Sequence, residues 1–341
     1  MELTRRTLIA SAAALGVVNA IRPRSAKAAD KVLISQASKG FLYVPSYVAA
    51  AAGYFADEGV DVEFTSVKVT GGPATALAAG QVQFAYAAAS NVILAQAQGV
   101  DIVAVGAMVG RVQADLVIQP EIAARLGLTE ATPMPERIRA LKGLSFAVNG
   151  FGGGLDQVVR YLVRSEAMDP ERDMVLTAIP EASGILAAFE HKRIDGFIFS
   201  PPTSSVAVAK DGGYLLINMS RGDFEPLRDF LYGALLAKSS WAAENKDLTV
   251  RVMRAYTRAL DMVAKDPEGT KQAIKPYFEG LDDDIFTRAF EAVKSSYPAT
   301  PRVTEAHYRQ NMDFLRAVKG SVPDLQLSAL YDNSYCDAAA K

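Results

Sequence analysis

One cysteine, two histidines and one tryptophan are all that 341 residues contain of these types, and the scarcity excludes much chemistry. A lone Cys336 permits no internal disulfide. As a nucleophile it has no histidine nearby in the chain. His191 and His307 form no H-E-x-x-H pair and no zinc-ligand spacing. His191 sits in a charged helix end beside Lys192 and Arg193, where a ring is solvated. No G-x-S-x-G elbow and no phosphate-binding P-loop occurs. Asp282-Asp283-Asp284 opens a helix, where acids complement the dipole, so it reads as capping rather than metal binding. Arg221-Gly222-Asp223 and the sequon Asn218-Met219-Ser220 are short enough to be chance. No catalytic residue, metal or cofactor is expected.

An excess of positive charge is also missing. The first 28 residues carry five of the 36 basic and one of the 38 acidic residues. The remainder therefore holds 31 against 37, a formal charge of −6. That balance disfavours nucleic acid or an anionic membrane as partner. No long apolar run follows the N-terminal one, and half of the residues are hydrophobic, enough for two lobes with separate cores.

The N-terminus reads as an export leader over residues 1–28. Arg5 and Arg6 precede an apolar run, Thr7 to Ile21, too short to span a bilayer comfortably. Ser25-Ala26-Lys27-Ala28 offers a cleavage site, so the mature chain is expected to start at Ala29 and to lie in the periplasm. Thr4-Arg5-Arg6-Thr7-Leu8-Ile9 resembles the twin-arginine pattern, with Leu8 and Ala10 departing from it. No cysteine stands near the cleavage site to take a lipid. Arg5→Lys with Arg6→Lys should leave the precursor inside the cell, because that pathway reads the guanidinium pair. A normal periplasmic yield of the double variant in a fractionation assay would reject the route.

Two stretches of the remaining chain echo each other. Ala76–Ser90 and Ala188–Pro202 align without gaps, placing Val82 on Ile194, Gln83 on Asp195, Tyr86 on Ile198 and Ala88 on Ser200. Each runs from a helix end into an apolar strand and then a small-residue loop. Strand and helix patterns alternate from Val32 to Ile217, which predicts two α/β lobes with mostly parallel sheets. The expected division is residues 29–114 plus 219–341 for the first lobe and 115–218 for the second. Beyond Trp241 only helical patterns remain, a tail that covers the first lobe and braces the second. Paired crossings near Val112–Leu116 and Ile217–Arg221 make a hinge.

The run Val44-Pro45-Ser46-Tyr47-Val48-Ala49 followed by Gly53-Tyr54-Phe55-Ala56-Asp57-Glu58-Gly59-Val60-Asp61-Val62-Glu63 resembles the opening of nitrate/sulfonate/taurine-type substrate-binding proteins of ABC importers. That family also includes binders of thiamine pyrimidine precursors and of aromatic acids. Ala76–Phe84 is similar to its second signature, with Gln83 where aspartate is usual. The resemblance covers most of residues 31–300. It implies the type II periplasmic binding protein fold, a small-molecule ligand, an inner-membrane permease as partner, and a monomer. Fungal thiamine-pyrimidine synthases resemble the same family, but use a cysteine-rich motif and an active-site histidine that this chain lacks. The quoted residues themselves read as scaffold.

Ligand contacts are expected in loops at strand ends that open helices, where unpaired N–H groups and the helix dipole favour anions. The nominated residues are Gly40, Phe41 and Tyr43 after the first strand; Gly71 and Gly72; Ser90 and Asn91; Asn149, Gly150, Phe151, Gly152 and Gly153; Glu181; and Ser200 with Pro201. The glycine-rich turn is the sharpest signal, because clustered glycines let N–H groups approach an oxyanion. A dinucleotide fingerprint fails, since Leu155 stands where glycine is required. Each candidate has a plainer reading: a flexible turn for the glycines, packing for Phe41 and Tyr43, capping for Ser90 or Asn91. Arg111 reads as a surface arginine rather than a partner for an acid. The glycine loops favour a sulfonate or carboxylate; Phe41, Tyr43 and Phe151 would serve a planar heterocycle or aromatic acid.

Overall fold

The computed structural model describes residues 28–37, 39–66 and 72–341. Residues 1–27, all but the last residue of the expected leader 1–28, together with Ser38 and the stretch 67–71 that includes Gly71, lie outside the described residues. The strands, in chain order, are β1 (Asp30–Gln36), β2 (Val60–Ser66), β3 (Phe84–Ala88), β4 (Val103–Val109), β5 (Asp115–Ile118), β6 (Ser145–Val148), β7 (Val175–Ala178), β8 (Gly196–Phe199), β9 (Tyr214–Asn218) and β10 (Gly233–Ala237). They form two five-stranded sheets, ordered β2-β1-β3-β10-β4 and β7-β6-β8-β5-β9.

Both sheets are mixed, each with four strands running one way and a single strand reversed. β1 runs parallel to β2 and β3, whereas β10 is antiparallel to β3 and β4. The second sheet repeats the pattern, with β6 parallel to β7 and β8, and β5 antiparallel to β8 and β9. The reason lies in the crossings. A strand that enters a sheet directly from the other lobe starts at the inter-lobe edge, so it opposes strands that end there. β5 and β10 are those two strands.

The internal echo has a structural basis. β3 and β8 occupy the same place in their sheets. Gln83 donates its N–H to Leu33 O at 3.2 Å and accepts the Leu33 N–H on its side-chain oxygen at 2.8 Å. Asp195 makes the same pair of bonds to Ser145, each at 2.8 Å. A side chain here supplies the ladder contact that the strand has not yet begun to make, which either an amide or a carboxylate oxygen can do.

The family-like opening segment is scaffold. Gly53 (φ 73°) and Gly59 (φ 66°) turn in the left-handed region at both ends of the short helix Tyr54–Asp57, where a β-carbon is penalised. The long tail helix Lys246–Lys265 lies across this segment through Arg251–Asp30, Arg254–Glu58 and Arg258–Asp57 ion pairs of 2.6 to 2.8 Å. Beneath them Val252, Met253, Tyr256 and Leu260 are buried with Val48, Phe55 and Val60. Burial of this apolar face carries most of the stability of the contact; the exposed pairs add little. A second tail helix, Glu305–Lys319, spans the lobes: Phe314 packs on both Tyr161 and Phe230, with ring centroids 5.1 and 5.0 Å apart.

Candidate functional site

The inter-lobe edge collects the ends of β1, β2, β3 and β4 from one sheet and of β6, β7, β8 and β9 from the other. Ligands of open α/β sheets sit at such edges. Residues 110–114 and 219–232 carry the chain across. Arg111 laces the two crossings together. Its Nε donates to Arg228 O at 2.9 Å, and its Nη1 reaches Ser220 O, Arg221 O and Ser295 Oγ at 3.2 to 3.5 Å. The side chain is half-buried and spent on hinge carbonyls, not displayed on the surface as its sequence context predicts.

The glycine-rich turn joins β6 to the helix Gly154–Ser165. Gly152 is left-handed, with φ 75°. Its N–H donates to Asp156 Oδ2 at 2.8 Å, and its carbonyl accepts from Gln157 Nε2 at 2.8 Å. Gly153 N–H turns back to Gly150 O at 3.4 Å. Asp156, only 2% exposed, is held in turn by Arg160 Nε at 2.9 Å. The N–H groups of Gly152 and Gly153 are therefore engaged within the loop, contrary to their expected aim at a ligand. The helix itself supplies the pins: its first turn carries Asp156 and Gln157, which fold back on the loop. The helix starts one residue later, at Gly154 and Leu155. A β-carbon on Gly154 would stand 3.5 Å from Tyr232 Oη, so this helix start meets the second crossing. Asn149 is exposed, Gly150 half-buried, and Phe151 is 61% exposed at the turn's tip.

The first-lobe aromatics are corrected by the fold. Phe41 is fully buried, its ring stacked on Phe278 at 4.4 Å and tilted against Phe286 and Phe290. Tyr43 is 3% exposed; its hydroxyl accepts the Ala37 N–H at 3.0 Å, and its ring meets Tyr86 edge-on. Phe41 faces inward because the tail brings an aromatic cluster under the loop, and Tyr43 because its ring packs on Tyr86 of β3. Gly40 is extended rather than left-handed, and donates its N–H to Tyr47 Oη at 3.4 Å. Gly72 opens the helix Gly72–Ala78 with φ 66°. Ser90 is buried and Asn91 half-buried at the start of the helix Ser90–Gln96, without a side-chain cap; the preceding Ala89 N–H bonds Tyr232 O at 3.0 Å. Glu181 is exposed as the residue before the helix Ala182–Glu190. Ser200 is half-buried and Pro201 buried beyond β8. Two surface hollows, of about 530 and 370 Å³, lie on the flank of the second sheet and behind the second crossing; no nominated residue lines them.

Several polar residues at the inter-lobe edge were not nominated from sequence. Asp115 begins β5 at 4% exposure, its Oδ2 accepting from Ser204 Oγ at 2.6 Å and its Oδ1 without a partner among the described residues. Burial pushes its carboxyl up to about 7; Ser204 opposes that shift. Gln36 at the end of β1, Tyr86 in the middle of β3 and Gln113 on the first crossing are likewise buried. One signal was available: an acid opening an otherwise apolar strand, Asp115-Leu116-Val117-Ile118, is costly unless it has a task. Cys336 fits its sequence reading. It is buried with Sγ 3.1 Å from Val105 O, and burial pushes its thiol up to about 12, away from the reactive thiolate.

The geometry agrees with known proteins. Over 282 residues the chain is 25% identical to "Putative binding protein YtlA" of Bacillus subtilis (strain 168), covering 80% of this chain and 78% of that one. A structure from Bordetella bronchiseptica RB50 superposes with a TM-score of 0.78 at 18% identity, covering 92% of this chain and 97% of the other. The alkanesulfonate-binding protein SsuA from Xanthomonas axonopodis pv. citri, bound to MOPS, gives 0.66 at 14% identity, with 92% and 98% covered. The periplasmic nitrate-binding protein NrtA from Synechocystis PCC 6803 gives 0.67 at 15% identity, with 91% and 88% covered. These likenesses establish the two-lobe fold of type II periplasmic binding proteins. The profile described as "NMT1/THI5 like" matches residues 41–270, which is 230 of 341 positions. With its two mixed sheets, paired crossings and matching sequence, the chain belongs to the NMT1/THI5-like family.

Proposed function

We infer that the chain is the periplasmic solute-binding component of an ABC import system, a binder rather than an enzyme, and that it closes on a small organic acid. Residues 29–114 with 219–341 act as one body and 115–218 as the other, swinging about the two crossings. The observation that carries the reading is the start of the twelve-residue helix Gly154–Ser165, set against Tyr232 of the second crossing at the inter-lobe edge. A helix start there attracts a sulfonate or carboxylate without a basic side chain, and contact with both lobes makes the closed form the tighter binder. Two structural relatives are named for anions, an alkanesulfonate and nitrate. The loaded protein then delivers its ligand to an inner-membrane permease.

Phe151 favours a second reading, a planar heterocycle such as a thiamine pyrimidine precursor. Its ring is 61% exposed on a turn pinned from below, as an aromatic poised to cover a flat ligand would be. One screen separates the two. Melting curves of the mature protein are measured with sulfonates, carboxylates and aminopyrimidines. A ligand at a hundredfold excess over Kd adds about 2.7 kcal/mol to stability. Small-angle scattering with the best ligand should show a smaller radius of gyration. Shifts from heterocycles alone would replace the acid by the heterocycle; no shift from either class would defeat the binding role.

A further inference from the structure

Among the described residues, eight buried side-chain oxygens have no hydrogen-bond partner, and three of them gather under the loop that follows β1. They are Gln36 Oε1, Tyr86 Oη and Gln113 Oε1. Gln36 and Tyr86 are neighbours on β1 and β3, one step beyond the paired residues Ser35 and Ala85, and so share a face of the sheet. Gln36 Nε2 donates to Tyr47 Oη at 3.4 Å, and the same hydroxyl accepts the Gly40 N–H. Tyr297 Oη donates to Phe41 O at 2.5 Å and lies beside Gln113. Tyr86 is close enough to Tyr43, Tyr47, Tyr256 and Tyr297 to feel their hydroxyls. The groups thus belong to one buried cluster of tyrosines, glutamines and backbone, with no charged side chain among them.

The second lobe shows that folding does not require these polar atoms. The correspondence that places Gln83 on Asp195 puts Gln36 on Val148 and Tyr86 on Ile198. Both counterparts are aliphatic and fully buried, and their sheet has the same order and directions. A buried hydroxyl left without a partner costs about 1–3 kcal/mol. The first lobe bears that cost at two adjacent positions, the end of β1 and the middle of β3, where the second lobe is aliphatic.

We propose that this cluster is a subsite for an uncharged, hydrogen-bonding end of the ligand, a hydroxyl or carboxamide, and that the unpaired oxygens of Tyr86, Gln36 and Gln113 read it. The proposal rests on the organic-acid reading and narrows it. The acidic end stays at the start of the helix Gly154–Ser165, because a neutral wall cannot balance a bare anion taken from water. The ligand is then an acid carrying a polar, uncharged tip.

Matched acids with and without such a tip test this by calorimetric titration: isethionate against ethanesulfonate, 4-hydroxybenzoate against benzoate, succinamate against butyrate. In the wild-type protein at least one tipped acid should bind tenfold or more tighter than its plain partner. Tyr86→Phe keeps the ring and removes the hydroxyl. It should leave the melting temperature unchanged or raise it, and should erase the preference for the tip. Gln36→Met should reduce the same preference. Equal affinities for tipped and plain acids in the wild type would overturn the proposal and leave the organic-acid reading standing. A Tyr86→Phe protein that melts lower but keeps the wild-type preference would assign the hydroxyl to structure and overturn it as well. If none of the six acids binds, the organic-acid reading falls and takes the subsite with it.

Discussion

Asp115→Asn should flatten the dependence of stability on pH between about 4 and 7, and should leave the protein more stable than wild type at pH 8. The carboxyl ionises near 3.8 when free of the fold and near 7 in the folded chain, because burial disfavours its charge. The folded state therefore holds this proton more tightly than the unfolded state. Below pH 4 both states are protonated and Asp115 contributes no slope. Between 4 and 7 only the unfolded state gives up the proton, so stability falls by about 1.4 kcal/mol per pH unit. Above 7 the folded carboxyl ionises too and the loss levels off, at roughly 4 kcal/mol. Asparagine has no proton to lose. Its amide oxygen still accepts from Ser204, while its NH2 occupies a position where Oδ1 has no partner. That unpaired donor offsets about 1–3 kcal/mol of the gain. Urea unfolding of both proteins at pH 5 and pH 8 checks this. If the two lose the same stability between these pH values, Asp115 is not the group that titrates.

Phe41→Ala should cost about 3–5 kcal/mol of stability, the usual range for emptying a buried phenylalanine site. Phe41 has no exposed surface and contacts three phenylalanines contributed by the tail, Phe278, Phe286 and Phe290. Removing the ring leaves a cavity between the loop after β1 and the helix Asp283–Val293. Phe41→Leu refills part of that space and should recover part of the loss. Ligand affinity of whatever fraction remains folded should change far less than stability does. The opposite pattern, an unaltered unfolding midpoint with binding abolished, would return Phe41 to the ligand and contradict its packing.

The loops that frame the inter-lobe edge were legible because glycine, proline and small polar residues punctuate a regular alternation of strand and helix. Those signals act over a few residues, and so does the chemistry that produces them. The same locality explains which nominations did not hold. Whether Phe41 faces ligand or core depends on Phe278 and Phe286, more than two hundred residues away in the chain. The inward turn of Tyr43 likewise depends on packing against Tyr86, which sequence spacing does not reveal. Gly152 was nominated for its backbone, and whether its N–H is free is decided by the rotamers of Asp156 and Gln157 in the next turn of chain.

The sequence by itself determined the two-lobe alternation, the repeated β3 and β8 units and the scaffold role of the Gly53–Glu63 segment, since each follows from local pattern or from self-similarity. It also determined what is missing: with one cysteine and two histidines in no ligating pattern, nothing in the sequence signals metal or thiol chemistry. Only the tertiary structure decided the strand directions, because β5 and β10 owe theirs to the edge at which a crossing delivers them. It alone spent Arg111 on the carbonyls of the second crossing, buried Asp115 beside Ser204, and brought Gln36, Tyr86 and Gln113 together with side-chain oxygens left unpaired. These outcomes depend on which distant groups meet once the lobes pack, and burial then sets their hydrogen bonds and charge states.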